Sequence, residues 1–492
     1  MLSRRSFGQF LGATSLAGCA CAMPTGFLAQ AVAQASLPAT SPPRASARGT
    51  YLIKNGAVIT ADATLGVLPR ADVLVRDGAI EKIGENLSEP GAEVINAEDM
   101  IVMPGLIDTH YHMWSALGRN YLADGFEYFP AKAATSAHYT PDDFYNSIML
   151  AMAELANNGV TTVHNWAHNV RSPAHADAEL RAHRDSLLRA RYAYGHIDML
   201  ARDKPLDFTD IERVRNEWFG SSSPFDGLVH LGVNLRGIGQ ATEAVFHEDV
   251  AQAMKRKLPI AVHAGQTPPN NMSAVDYEKR GYLGPNFLIC HYLPGSDDDY
   301  AAMVRGGSPI SFATHSEHRL GLAGDPRDAI MRMRKAGLKV SLSCDASSIA
   351  PPNMLEIMRF TWNMAIPWKG TPTEKDPFLG FKEVIEMGTI NGARALGLGN
   401  VTGSLTPGKR ADIILIRTND VNTAPMANIE ATVVMSATPQ NIDTVFADGR
   451  IVKRDGKLVA YDVPRIVAAA KESSLRIRKA AGGRLAPPAC CG

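Results

Sequence analysis

One stretch of this 492-residue chain decides its fold: Val102-Met103-Pro104-Gly105-Leu106-Ile107-Asp108-Thr109-His110-Tyr111-His112. The apolar residues before the two histidines predict a buried strand, and residues two apart on a strand point to the same face. His110 and His112 can therefore present two imidazoles side by side to one metal ion. A His-x-His pair also arises by chance, so the metal interpretation depends on the rest of the chain.

Three further candidate ligands each stand at the end of an apolar strand. They are His263 at the end of 259–263, His291 at the end of 286–291, and Asp345 at the end of 339–345. Strands of a barrel direct the side chains at their carboxyl ends into one pocket. Any one of these residues alone could be a core histidine or a helix-capping aspartate. Their coincidence favours a divalent-metal site, with Zn²⁺ the best match and Fe²⁺ the alternative.

Residues 101–400 alternate apolar runs with amphipathic segments, including predicted helices at 142–158 and 172–189. Repeated βα units over this length predict an α/β fold of the TIM (β/α)8 type. A doubly wound parallel sheet is the alternative, but no glycine-rich dinucleotide loop follows an early strand.

Short alternating strands on both sides of that region predict a second, smaller β-domain. Within segment 50–100, Asn55-Gly56 and Asp77-Gly78 are predicted hairpin turns. Segment 401–462 has a similar pattern, and the two segments are expected to pair into one small β-sandwich. Residues 463–492 are expected to form a C-terminal helix and tail.

The N-terminus is interpreted as a targeting segment. Ser3-Arg4-Arg5-Ser6-Phe7, followed by a mild apolar run, resembles a twin-arginine signal peptide, and Ala33-Gln34-Ala35 resembles its cleavage site. Segment 1–35 would then be removed on export to the periplasm, leaving a Pro-rich linker at 36–49. No stable membrane span is expected after processing. The alternative is a lipid anchor on Cys19, because Leu16-Ala17-Gly18-Cys19 resembles a lipobox.

The composition of the chain indicates which classes of molecule it binds. The chain carries 50 basic and 50 acidic residues, so its formal net charge is zero, and nucleic acid is not an expected partner. Six unevenly placed cysteines do not make a disulfide framework. A small-molecule substrate is expected, and homo-oligomerisation is left open.

Taken together, these motifs resemble the amidohydrolase superfamily over about residues 50–460. The resemblance rests on the 103–112 motif, the strand-end histidines and aspartate, and the closing motif Gly403-Ser404-Leu405-Thr406-Pro407-Gly408-Lys409-Arg410-Ala411-Asp412. It is greatest to the cytosine deaminase and triazine hydrolase group. It implies a distorted barrel with a β-sandwich. It also implies that the metal is held by His110, His112, His263 and Asp345, with His291 as the acid/base or polarising histidine.

Two departures from the family pattern bear on the chemistry. Binuclear members carry a carboxylated lysine on the fourth strand, and the run 228–236 has none, so one ion is expected. Deaminase members carry a glutamate three residues after the fifth-strand histidine, where this chain has Gln266. An amide can hydrogen-bond a substrate but does not shuttle a proton at neutral pH, which puts deamination by that route in doubt.

The predicted function is therefore hydrolysis of a non-peptide carbon–nitrogen bond in a small amide-like or cyclic substrate, through a metal-activated water. Asp345 is expected to accept the water proton and pass it to the leaving nitrogen, while His291 stabilises charge or donates a proton. The alternative activity is deamination of an aminated N-heterocycle. A non-catalytic binding protein built on the same barrel is a third reading, which metal content would distinguish.

Four residues are candidate substrate contacts: Gln266, Trp114, His168 and Glu317. Trp114 stands two residues after His112, and His168 follows a predicted strand. Glu317 follows the predicted seventh strand and could replace the missing acid. For Trp114 and His168 an ordinary packing role is the competing interpretation.

Overall fold

The computed structural model describes residues 47–122, 128–266, 270–320, 322–365 and 378–486. The predicted signal peptide, Cys19 and most of the predicted linker lie outside the described residues, as does the end of the tail. Among the helices of the described ranges, none is long and apolar enough to span a membrane.

Five strands precede the barrel. They are β1 (Tyr51–Ile59), β2 (Val67–Arg76), β3 (Ala79–Gly84), β4 (Glu93–Asn96) and β5 (Met100–Pro104). Asp77-Gly78 makes the predicted hairpin turn, since β2 and β3 pair antiparallel on either side of it. The turn predicted at Asn55-Gly56 is wrong. Both residues lie inside β1, where the register with β2 shifts, so the dipeptide marks a bulge in one continuous strand.

Eight parallel strands of the described chain form the barrel sheet, and neighbours in sequence are neighbours in space. They are β6 (Leu106–Tyr111), β7 (Val160–Ala167), β8 (Arg189–Tyr194), β9 (Val229–Leu235), β10 (Ile260–His263), β11 (Phe287–Cys290), β12 (Ile310–Phe312) and β13 (Val340–Leu342). The predicted α/β barrel is confirmed.

Helices connect these strands and cover the barrel. In the described ranges they are α1 (Tyr128–Ser136), α2 (Pro141–Asn157), α3 (Pro173–Ser186), α4 (Phe208–Trp218), α5 (Glu243–Lys255), α6 (Ala274–Lys279), α7 (Asp297–Gly306), α8 (Thr314–Arg319), α9 (Pro326–Ala336), α10 (Met354–Met364), α11 (Phe381–Met387) and α12 (Ile390–Ala395). Thr140 caps α2 in a capping box with Asp143, and Pro141 opens the helix, so its start is encoded locally.

The chain then returns to the first sheet. The remaining strands and α-helices of the described ranges are β14 (Ile413–Arg417), α13 (Ile429–Ala431), β15 (Ile442–Ala447), β16 (Arg450–Arg454), β17 (Lys457–Leu458) and α14 (Val463–Ala481). β14 pairs antiparallel with β5, which joins the two flanking segments into one sheet of nine strands. This sheet has its own apolar core, which includes Tyr51, Val73 and Phe446.

The stretch 102–112 divides between the two sheets. β5 belongs to the flanking sheet and β6 to the barrel, with Gly105 between them. A Cβ at Gly105 would overlap the side chain of Thr161, so only glycine allows the chain to pass this close to β7. The apolar run that reads as one strand is therefore two strands in different sheets.

Hydrogen bonds beside the histidine pair complete the barrel. The amide N–H of His112 donates to the carbonyl of Asp345 at 2.7 Å, and the N–H of Asp345 donates to the carbonyl of His110 at 2.9 Å. The first and last barrel segments therefore meet at the residues that carry the candidate site.

Candidate active site

Three imidazoles and one carboxylate converge at the carboxyl ends of the barrel strands. Nε2 of His110 and Nε2 of His112 lie 3.0 Å and 3.1 Å from Oδ1 of Asp345. Nε2 of His263 lies 3.3 Å from Nε2 of His110. The indole of Trp166 stacks on His263 with ring centroids 3.9 Å apart, which holds that ring in place.

The charge states of these groups fit a cation. Burial lowers the pKa of His110 to about 3 and that of His112 to about 4, so both imidazoles are neutral and keep a lone pair. Burial alone would raise the pKa of Asp345, but its close contacts with Nε2 of His110 and Nε2 of His112 hold it well below its usual range. Neutral imidazoles around an ionised carboxylate are a donor set that suits a divalent metal.

His291 lies at the edge of the same cluster. With His110, His263 and Asp345 it forms a group whose ligand atoms all lie within 4.8 Å of one another. Its Nε2 is 4.0 Å from Oδ1 of Asp345, farther than Nε2 of His110 and Nε2 of His112. Both His291 and Asp345 have positive φ, +63° and +68°, at the turns that follow their strands. These left-handed turns are uncommon for residues with a Cβ and are typical of functional sites.

Glu317 binds the ring nitrogen of His291 that is not directed at Asp345. Oε1 of Glu317 accepts from Nδ1 of His291 at 3.1 Å and also from the backbone N–H of Ala313. Burial opposes protonation of His291, but the negative charge of Glu317 outweighs it and raises the pKa of His291 to about 9. His291 is therefore a proton donor at neutral pH, in contrast to His110 and His112.

A second series of side-chain contacts extends from His112 away from the other ligands. Nδ1 of His168 lies 3.0 Å from both Nδ1 of His112 and Nε1 of Trp114. Nε2 of His168 lies 3.3 Å from Oδ1 of Asp198, which also accepts from Lys132 at 2.9 Å. Burial lowers the pKa of His168 to about 4, so this imidazole is neutral.

Comparison with known proteins places this geometry in a family. The amidohydrolase family profile matches residues 101–452, which is more than half of the chain. The chain belongs to the amidohydrolase family. It is a metal-dependent hydrolase of carbon–nitrogen bonds that acts on a small molecule.

Curated relatives match this amidohydrolase over almost their whole length. The 5'-deoxyadenosine deaminase of Methanosarcina barkeri is 28% identical over 440 residues, covering 86% of this chain and 97% of its own. The 5-methylthioadenosine/S-adenosylhomocysteine deaminase of Desulforudis audaxviator is 28% identical over 423 residues, covering 82% and 94%.

Solved structures share the fold. An adenosine deaminase from Xanthomonas campestris with bound zinc has a TM-score of 0.75 at 19% identity, covering 87% of this chain and 98% of its own. An atrazine chlorohydrolase from Arthrobacter aurescens in complex with zinc has a TM-score of 0.73 at 20% identity, covering 86% and 100%.

A cavity of about 410 Å³ opens over the amidohydrolase centre. Its apolar wall includes Tyr128, Phe129, Trp166, Leu320 and Leu322, and its polar wall includes Lys132, His196, Asp198, Gln240, Asn270 and Asn271. Sequence reasoning missed most of these residues, because they come from loops and from α1 and carry no motif. Trp166 is the exception, since it lies near the end of β7, two residues before the predicted contact His168, which follows that strand.

The predicted substrate contacts divide into two groups. Gln266 and His168 line the cavity. Trp114 and Glu317 are not among its lining residues in the described chain, and both are almost fully buried. Each of these two contacts a histidine of the site instead, Trp114 through His168 and Glu317 through His291.

The fourth barrel strand carries no lysine. β9 presents Asn234 inside the barrel, where its Oδ1 lies 3.2 Å from Nε2 of His164 and its amide donates to the carbonyl of Ala193. The carboxylated lysine that would bridge a second ion has no counterpart on this strand.

Proposed function

We propose that this amidohydrolase deaminates an aminated N-heterocycle of the adenine-nucleoside kind, using one zinc ion. The observation that carries the proposal is the near full-length similarity to curated deaminases of such nucleosides. A cavity of about 410 Å³ with an aromatic wall agrees with it, because sites for small molecules of this size are usually concave and mostly apolar.

His110, His112, His263 and Asp345 are the residues that would hold the ion. His263 is partly buried and the other three side chains are buried, their ligand atoms face one another, and the missing lysine on β9 favours a single ion. When bound, zinc supplies a water acidic enough to act as a nucleophile near neutral pH.

The remaining residues account for the protons of the reaction. In hydrolytic deamination the water oxygen adds to the ring carbon, the carbon–nitrogen bond breaks, and ammonia leaves. Asp345 is ionised and can take a proton from water and return it to the leaving nitrogen. His291 can donate from Nε2 to a ring nitrogen, because Glu317 accepts from its Nδ1 and orients the ring. The second proton of the water would return to Nε2 of His291 as the carbonyl forms, so both residues end in their starting protonation states. His291 and Glu317 would then replace the proton-donating glutamate that deaminase members of the family carry where this chain has Gln266.

Gln266 supports a second candidate function. A neutral amide in the cavity suits hydrolysis of a cyclic amide, whose leaving nitrogen needs one proton from Asp345 and whose ring needs none from position 266. The two functions differ in product, since only deamination releases ammonia from an exocyclic amino group.

The zinc-loaded protein can be assayed against 5'-deoxyadenosine, 5'-methylthioadenosine, aminated heterocycles without a sugar, and cyclic amides. We expect ammonia and the oxo product from at least one adenine nucleoside, loss of activity after chelation, and none in Asp345→Asn. Gln266→Ala should cost no more than about tenfold in kcat/KM, the value of one neutral hydrogen bond. Ring opening of cyclic amides without ammonia release from any nucleoside would favour the second function.

We also propose that segment 1–35 exports the protein by the twin-arginine route. Arg4 and Arg5 precede a mild apolar run, and an Ala-x-Ala site follows it. Replacing both arginines by lysine should retain the precursor in the cytoplasm. A mature N-terminus at Ser36 would agree with soluble release, whereas an acylated Cys19 would indicate a lipoprotein.

A further inference from the structure

The two histidines of the His-x-His pair differ in what their outer ring nitrogens contact. Nδ1 of His112 lies 3.0 Å from Nδ1 of His168. Within the described residues, Nδ1 of His110 has no hydrogen-bond partner. A contact between two imidazole nitrogens contains one proton, so one ring donates and the other accepts. The direction of this bond decides which nitrogen of His112 keeps a lone pair for a metal ion.

The indole of Trp114 settles that direction. Its Nε1–H can only donate, and it lies 3.0 Å from the same Nδ1 of His168. That nitrogen is therefore the acceptor, and the ring proton of His168 is on Nε2, 3.3 Å from Oδ1 of Asp198. Lys132 donates to the same carboxylate oxygen and holds it in position. The proton between the two imidazoles then belongs to Nδ1 of His112.

We propose that His168 is a positioning residue that keeps His112 in its Nδ1–H tautomer, with Nε2 directed at the metal centre. In this tautomer the lone pair on Nε2 of His112 faces the cluster, 3.1 Å from Oδ1 of Asp345. Trp114 and Asp198 fix the ring of His168 from opposite nitrogens, and all three side chains are buried. The inference rests on the proposed metal site and adds the residue that orients one of its ligands.

The test is the zinc affinity of purified, metal-free protein, measured by competition with a chromophoric chelator. His168→Phe keeps an aromatic ring but removes the acceptor, and we expect its zinc Kd to rise about 10- to 100-fold, as is usual when the partner of a ligating histidine is lost. His168→Asn can offer Oδ1 in the place of Nδ1 and should stay close to the wild-type Kd. The control is His183→Phe, which removes a buried imidazole that contacts Asn165 and not His168 or its partners. It should leave the zinc Kd unchanged.

A wild-type Kd in His168→Phe would overturn the proposal, and so would an equal loss in His168→Asn, because the acceptor would then not be what matters. If His168→Phe does not fold, Trp114→Phe removes the indole N–H while keeping most of the packing. It should weaken zinc binding several-fold, and an unchanged Kd would contradict the role given to the indole. Failure of the wild-type protein to bind zinc would overturn the proposed metal site instead, so the two failures are distinguishable.

Discussion

At the scale of single residues, the site combines identical side chains with opposite charge preferences. His110 and His112 are neutral because burial, together with the neighbouring histidines, disfavours the charged form of each imidazole. His291 is equally buried, yet the carboxylate of Glu317 at 3.1 Å favours its protonated form. His110 and His112 share the carboxylate of Asp345 and stay neutral, whereas the additional contact with Glu317 keeps His291 protonated.

Glu317→Gln tests that separation. The substitution keeps the size of the side chain and an oxygen that can accept from Nδ1 of His291, but it removes the negative charge. We expect kcat to fall by about 10²-fold or more, within the range for loss of general acid catalysis, with zinc content unchanged. Glu356→Gln is the matched control, because Glu356 contacts His315 rather than the centre. Full activity in Glu317→Gln would show that His291 does not need its partner.

At the scale of elements, the passage from β5 to β6 depends on a single glycine. β5 pairs with β14 in the flanking sheet, and two residues later β6 pairs with β7 in the barrel. Gly105 lies against Thr161, which is fully buried and cannot move aside. This contact fixes how the strand that carries His110 enters the barrel.

Gly105→Ala should therefore lower the free energy of unfolding by about 1–3 kcal/mol, the usual cost of overpacking a filled core. Urea unfolding followed by circular dichroism measures it. Gly84→Ala is the control, since a Cβ there meets only Leu87 at 3.8 Å. Equal stability of the two variants would mean that the barrel adjusts at no cost.

The inner face of α3 buries the carboxyl group of Glu179, and none of the described residues forms an ion pair with it. Glu179 accepts from the amide of Asn165 at 2.8 Å, and the same amide contacts His183. Burial raises the pKa of Glu179 to about 8, from an ordinary value near 4.5. At pH values between about 4.5 and about 8, Glu179 of the folded protein therefore keeps a proton that the unfolded chain has released. The free energy of unfolding falls as pH rises through this range.

Glu179→Gln should remove this fall, because the amide does not titrate. We expect the melting temperature of the wild type to drop more than that of the variant when pH is raised from about 5 to about 8. Glu243→Gln, at the exposed start of α5, should leave the wild-type profile unchanged. Parallel profiles for wild type and Glu179→Gln would show that Glu179 is ionised in the folded protein.

At the scale of the whole molecule, one carboxylate joins the flanking sheet to the barrel. Asp448 lies in the turn between β15 and β16 and is almost fully buried. It pairs with Arg48 and Arg410, with Arg450 at 2.8 Å, and with Arg189 of barrel strand β8 at 3.2 Å. Its loss would leave the buried guanidinium of Arg189, and three partly buried guanidinium groups, with fewer partners.

Asp448→Asn should lower the free energy of unfolding by about 3–5 kcal/mol, the usual cost of breaking a buried ion pair from one side. Asp226→Asn is the control. Asp226 contacts Arg48 and Arg450, but its side chain is 58% exposed, so the cost should be under about 1 kcal/mol. A loss of less than about 1 kcal/mol in Asp448→Asn would contradict this role, and would mean that Asp412, which also accepts from Arg189, is a sufficient partner for that arginine.

The amino-acid sequence alone determined the barrel, the flanking β-segments and the proximity of the candidate ligands. Each of these follows from a short-range pattern: two-residue spacing on a strand, and polar residues placed where apolar strands end. The same patterns misread Asn55-Gly56 as a turn and 102–112 as one strand. Local propensity does not contain the pairing of β1 with β2 or the contact of Gly105 with Thr161.

Only the tertiary structure decided what surrounds the ligands. Trp114 and His168 are 54 residues apart, and Glu317 meets His291 from another βα unit, so no periodicity predicts either contact. The cavity wall likewise comes from loops and from α1, whose positions depend on packing over the barrel rather than on any motif. Strand periodicity is a property of a few consecutive residues, whereas tautomers, charge states and cavity shape depend on neighbours that only folding brings together.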